Sequence, residues 1–220
     1  MTIKFNNYAN CYKGGVICTE LTLFFDKVKN KIHQHRFSVL KEVFLSNVPK
    51  YESNENDLYI HIRSGDIFST YIHDNYAQPP LCFYEFIINN FHFEKIFIVS
   101  QDKQNPVIDA LLNKYTTISF LHKDFSQDVS YIINAHNLVL SSSTFSLNLA
   151  RLSNKLKKLF VYDLTPKYEK DLWLIDNDKH NENFVTIIMK VSDKYKSEMF
   201  PWKSSKKQKD LMLDATCNEK

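Results

Sequence analysis

The chain has 220 residues, room for one generous domain or two small ones, and its 44% apolar and 24% charged residues are an ordinary globular balance. No apolar run approaches the ~20 residues of a membrane span, and the opening MTIKFNNYANCYKGG has no charged-then-apolar leader pattern, so a cytoplasmic protein is expected. A net charge of +3 is too mild to call for nucleic acid, and the 3 glycines (Gly14, Gly15 and Gly65) exclude the phosphate loops G-x-G-x-x-G and G-x-x-x-x-G-K-[ST].

Residues 1–20 carry turn signals at Asn6-Asn7 and Gly14-Gly15. Over residues 20–48 apolar side chains recur at helical spacing (Leu21, Phe24, Phe25, Val28, Ile32, then Phe37, Leu40, Val43, Phe44), which predicts one or two helices. Pro49 and the polar run 52–57 form a break. Residues 1–50 are therefore read as a short helical N-terminal region and 51–220 as the main domain with a C-terminal helical tail. From there strand and helix alternate. Strands are predicted at 58–62, 95–99, 117–121, 137–140 and 158–162. Helices are predicted at 81–90 behind Pro79-Pro80, at 107–115 behind Asn105-Pro106, at 128–135 and at 144–153. The alternation predicts an α/β fold, a Rossmann-like, mostly parallel sheet flanked by helices. Residues 185–189 predict a further strand, and Pro201-Trp202 precedes a terminal helix.

In such sheets ligands sit beyond the C-terminal ends of the strands. Three polar clusters fall there: Arg63-Ser64-Gly65-Asp66, Ser100-Gln101-Asp102 and Ser141-Ser142-Ser143-Thr144. His61 and Arg63 are two apart on a strand and share a face. Gly65 permits a tight turn that returns Asp66 toward Arg63. An arginine at this point can fork onto a phosphate while Asp66 holds its guanidinium or a sugar hydroxyl; a structural Arg–Asp pair is the alternative. Only Arg36, Arg63 and Arg151 are arginine among 28 basic residues, and arginine outlasts lysine where a bidentate contact is needed. The hydroxyls from Ser141 to Ser146 open a helix. They form either an anion site without glycine or a plain N-cap. Arg151 follows on the same helix. Asp128 is a cap or an acceptor for a base or ribose.

Cys11, Cys18, Cys82 and Cys217 contain no C-x-x-C and resemble neither a zinc site nor a disulfide framework; Cys82 reads as core filler. His33 and His35 lack further ligands, and no metal site is expected. Lys203, Lys206, Lys207 and Lys209 form a basic tail, either solvated or in peripheral contact with an anionic membrane surface.

His61-Ile-Arg-Ser-Gly-Asp66, then Tyr76-Ala-Gln-Pro-Pro80, then Ser143-Thr-Phe-Ser146 followed by Arg151, resemble the fucosyltransferase-like superfamily of GT-B glycosyltransferases. The resemblance covers residues 57–163, about half the chain, and tails into Pro201-Trp202. It implies transfer of a sugar, fucose foremost, from a GDP-sugar to a glycan or other hydroxyl acceptor, with inversion and with neither metal nor cofactor. It implies that Arg63 binds the β-phosphate, that His61, Ser143, Thr144 and Ser146 contact the donor, and that Asp128 binds the nucleoside. Asp66 joins Arg63 in the catalytic set. Asp74 is the candidate base, ahead of Tyr71 and His73. The N-terminal acceptor domain of the family is reduced here. The one Asp-x-Asp, Asp176 to Asp178, lies in the polar late segment. A non-catalytic nucleotide-sugar or glycan-binding remnant is the alternative, and an unrelated phosphatase or sulfotransferase would need a nucleophile or sulfonate-donor loop that is not evident.

Overall fold

The computed structural model describes residues 42, 44–69, 75–164 and 184–217. Six strands form one sheet: β1 (Leu58–His61), β2 (Ile96–Val99), β3 (Ile118–Leu121), β4 (Asn137–Val139), β5 (Lys158–Asp163) and β6 (Val185–Lys190). Their order is β3-β2-β1-β4-β5-β6 and every pairing is parallel. This is the Rossmann-like α/β fold expected from the alternation, with its order reversing between β1 and β4.

Side-chain alternation divides the core into two layers. Leu58, Ile60 and Ile62 are buried on one face with Ile98, Val139 and Phe160. Helices α1 (Leu81–Asn90), α2 (Pro106–Lys114), α5 (Asp193–Met199) and α6 (Lys206–Asp214) cover that face through Phe83, Ile87, Val107, Leu111, Met199 and Met212. Tyr59, Val99, Leu138, Leu159 and Val161 are buried on the other face, beneath α3 (Phe125–Ile133) and α4 (Thr144–Leu152). Phe44 and Val48 belong to that second layer, so the core reaches across the boundary expected at residue 50. Residues 42 and 44–46 are helical; the rest of the helical stretch expected from residue 20 lies outside the described residues.

Local chemistry explains most boundaries. Asn105 caps α2 by accepting from Val107 N–H, with Pro106 at the first helical position, where a missing N–H costs nothing. Ser205 and Gln208 close a reciprocal capping box on α6. Two expectations are corrected. Helix α3 begins at Phe125 rather than at residue 128, because the Asp124 carboxylate, 2.9 Å from Gln127 N–H, is the cap. Cys82 is not core filler: it is disulfide-bonded to Cys217, a partner 135 residues away that sequence spacing could not pair. The bond fastens the C-terminal tail to the first turn of α1. Helix α5 and the 3-10 turn Gly65–Phe68 were not foreseen. No described helix is long and apolar enough to cross a membrane.

Candidate functional site

Where the strand order reverses, the carboxyl ends of β1 and β4 flank the place of the ligand crevice in such a sheet, and they gather two of the three polar clusters, with the third beside it. His61 ends β1 in register with Val99 and is 2% exposed. Its Nδ1 lies 2.8 Å from the hydroxyl of Ser141, just past β4, and its ring is tilted against Phe145 of α4 at 5.5 Å. Burial, reinforced by the Arg63 guanidinium, pushes the imidazole pKa down to about 3. The ring is therefore neutral at ordinary pH and acts as a hydrogen-bonding group rather than a charge.

Two residues on, Arg63 is 8% exposed. Its Nη2 donates to both oxygens of Asp66, at 2.8 and 3.0 Å. The Tyr76 ring lies 5.9 Å from its Cζ, within cation–π range. The turn that returns Asp66 runs through Gly65 at φ +70, where an L side chain is disfavoured. A Cβ there would also collide with the Gln101 side chain. Asp102 anchors the turn from β2: it accepts from the Ser64 hydroxyl and, at 3.2 Å, from Gly65 N–H. Asn105 adds a bond from Nδ2 to the Arg63 carbonyl at 3.0 Å and one from its N–H to Ser64 Oγ at 2.9 Å. Arg63 is thus delivered to the strand end by a turn tied to its neighbour strand.

Across the crevice Ser143 is the N-cap of α4; its Oγ accepts from Phe145 N–H at 3.3 Å. The fully buried Ser146 hydroxyl donates back to the Ser143 carbonyl at 3.5 Å. Thr144 is the half-buried member of the trio. Arg151 falls in the last turn of α4, where its charge complements the C-terminal end of the helix dipole. At ~1.5 Å rise per residue that is roughly 12 Å along the axis from the capping serine, at the opposite end from the hydroxyl cluster.

Asp128 is fully buried and not a cap. His122, just past β3, places Nδ1 3.4 Å from its Oδ2. Burial raises the carboxyl pKa to about 8, partly opposed by a backbone hydrogen bond from Lys123. His122 was missed in the sequence because six residues and a loop separate it from Asp128, with no spacing rule to join them. Asp74, with Tyr71 and His73, lies outside the described residues, as do Arg36, Cys11, Cys18, His33, His35, Asp176 and Asp178. Among the described residues no three His, Cys, Asp or Glu side chains are grouped to hold a metal ion.

Of the basic tail, Lys207 pairs with Glu198 and Lys209 lies 5.7 Å from the centre of the Phe68 ring, while Lys203 and Lys206 are exposed. A separate cleft of about 1110 Å³ runs beside β6, lined by Phe86, Tyr162, Ile187, Lys190, Tyr195 and Leu211 among others; none of the predicted site residues lines it.

No protein-family model matches the chain, and no curated protein matches it. Among solved structures it is similar to the E. coli heptosyltransferase WaaC with ADP, at 13% identity and a TM-score of 0.40, over 74% of this chain and 45% of that one. The match thus spans less than half the length of that chain.

Proposed function

We propose that the crevice at the β1–β4 switch point takes the pyrophosphate of a GDP-sugar, GDP-fucose foremost, and that the chain is a metal-independent, inverting glycosyltransferase whose sheet is a GT-B-like nucleotide-binding domain. The observation that carries this reading is a nearly buried Arg63, aimed by both oxygens of Asp66, beside the neutral His61–Ser141 pair and the start of α4. A buried guanidinium at the ligand edge of a Rossmann-like sheet suits a pyrophosphate, which accepts forked hydrogen bonds and carries the opposite charge.

In the proposed reaction the acceptor hydroxyl oxygen bonds to the sugar's anomeric carbon as the bond from that carbon to the β-phosphate oxygen breaks. The hydroxyl proton passes to a base, for which Asp74 is the candidate. The leaving GDP gains negative charge on its β-phosphate. Arg63 would stabilise that charge where it develops, with Asp66 fixing its direction. Thr144 and the amides at the start of α4 would add hydrogen bonds and the favourable end of the helix dipole. His61 would contribute a polar contact without adding charge. Asp128, with His122, would meet the nucleoside. A glycan or other hydroxyl compound is the acceptor class. The Cys82–Cys217 bond weighs against a cytosolic setting, because disulfides persist in oxidising compartments.

Calorimetry with GDP, UDP and ADP, followed by turnover of GDP-fucose, tests the reading. GDP should bind at least about tenfold more tightly than ADP, since an unpaired buried acceptor costs ~1–3 kcal/mol. Equal affinities would overturn the guanine reading, and binding without turnover would leave a nucleotide-sugar-binding protein.

A further inference from the structure

We propose that the C-terminal segment from Tyr195 to Trp202 is a brace that sets both sides of the crevice, with Tyr195 and Trp202 as positioning residues. Each makes one hydrogen bond to a backbone carbonyl more than a hundred residues upstream, and the two bonds land on the two connected parts of the site.

Trp202 is fully buried, and its indole N–H donates to the Ile67 carbonyl at 2.7 Å. Its ring stands edge-on to Phe68 at 5.3 Å. Ile67 and Phe68 belong to the turn that carries Asp66, the residue that holds Arg63. Indole is a donor only, and its length lets it reach a carbonyl while burying its body, so the bond fixes where the turn can sit.

Tyr195 is 4% exposed, and its hydroxyl donates to the Gln78 carbonyl at 2.8 Å. Burial raises its pKa, which keeps the phenol protonated and donating. Gln78 is fully buried, and its Nε2 donates to Tyr76 O at 2.9 Å and to Ser142 O at 3.4 Å. The same residue therefore joins Tyr195 to the backbone of Tyr76, whose ring lies against Arg63, and to the loop that precedes α4. The segment is itself held. Gln208 of α6 donates to the Met199 and Pro201 carbonyls at 3.1 and 3.0 Å, and Cys217 is bonded to Cys82.

Only the nucleotide arm of the test rests on the proposed GDP binding. The full chain is compared with Trp202→Phe, which keeps a ring and loses the N–H, and Tyr195→Phe, which loses only a hydroxyl. Amide hydrogen exchange without ligand is read over residues 63–69, 76–80 and 141–146, with 109–121 as the internal reference. Trp202→Phe should speed exchange at least about tenfold over 63–69, and Tyr195→Phe over 76–80 and 141–146, while 109–121 keeps its rate. Trp202→His, which restores a ring N–H, should recover part of the protection. GDP affinity should fall at least about tenfold in both Phe variants. Unchanged exchange at the crevice overturns the brace, and so does a uniform rise that includes 109–121, which would mean general loosening. If Trp202→Phe does not fold, Tyr195→Phe decides alone. Local exchange changes in a protein that binds no GDP would support the brace and count against the nucleotide reading.

Discussion

The two sides of the crevice are built by different means. The turn after β1 is held from outside: Asp102 and Asn105 grip Ser64 and Gly65, and Trp202 bonds Ile67. The start of α4 is capped locally, with Ser143 accepting from Phe145 N–H and Ser146 bonding back to the Ser143 carbonyl, while the loop before it is tied from outside by His61 at Ser141 and by Gln78 at the Ser142 carbonyl. A charged side chain must be aimed, and aiming requires fixed partners on other elements. A helix start presents its N–H groups through its own geometry and needs only a cap. The first side should therefore be sensitive to changes of direction and the second to changes of local stability.

The largest expected effect follows for Arg63. Lysine keeps the charge but not the fork that Asp66 orients. Arg63→Lys should lose ~2.7–4 kcal/mol of transition-state stabilisation, roughly 10²–10³ in kcat, by analogy with other contacts to developing oxyanions. The melting temperature should barely move. Retained turnover would remove Arg63 from the chemistry, and a large fall in melting temperature would make the Arg63–Asp66 pair a structural one.

Next is Gly65, on which the aim depends. A side chain at φ +70 costs ~1–2 kcal/mol, and the new Cβ must also displace Gln101. Gly65→Ala should lower stability by at least that amount and reduce GDP affinity alongside it, as read by urea unfolding and calorimetry. Loss of stability with intact GDP affinity would show that the turn is not what aims Arg63.

The same division governs what was legible in the sequence. The strand–helix alternation, the capped start of α2 and the hydroxyl cluster opening α4 are local signals, and apart from α3, which begins three residues before its expected start, each falls within a residue or so of its observed place. Asp66 returning to Arg63 was legible because three residues and a glycine determine it. The partners that fix the turn were not: Asp102 was visible only as a polar residue after a strand, and nothing in the sequence tied Trp202 to Ile67 or Cys82 to Cys217. Asp128 resembled a cap by position, and only the structure shows that Asp124 does that work.

Asp128 sharpens the contrast as a buried group whose polar neighbour, His122, comes from another element. Its folded pKa of about 8 lies above the ordinary ~3.9. The folded state therefore binds the extra proton between those values. Its contribution to stability is full below about pH 4, falls as pH rises, and is gone above about 8. His61, held down to about 3, has the opposite sign and adds stability as pH rises toward the ordinary ~6.5. Above pH 6.5 only the Asp128 contribution still changes in this pair. The unfolding free energy from urea titrations should fall between pH 6.5 and 8, by at most about 1.4 kcal/mol per unit, and Asp128→Asn should flatten that decline. If Asp128 reads guanine as a carboxylate, GDP binding also releases a proton, which calorimetry in buffers of different ionisation heat detects. An unchanged profile in Asp128→Asn would show that the carboxyl is already ionised in the fold.

The smallest effect belongs to Ser143, and it tests the locally capped side directly. Replacing a serine cap by alanine costs ~0.5–2 kcal/mol and by glycine only a few tenths. The cap bond here is long at 3.3 Å, which favours the lower end of that range. Ser143→Ala should therefore lower stability by about 1 kcal/mol or less, and Ser143→Gly by less still. If the hydroxyl serves only as a cap, both variants keep GDP affinity within a few-fold, because the amides of α4 stay where they are. If it also contacts phosphate, alanine and glycine lose affinity equally while differing in stability. Melting temperature and GDP affinity measured on the same two variants separate these outcomes. A loss of affinity as large as that of Arg63→Lys would break the comparison, since the start of α4 would then be a directed ligand contact like the turn across from it.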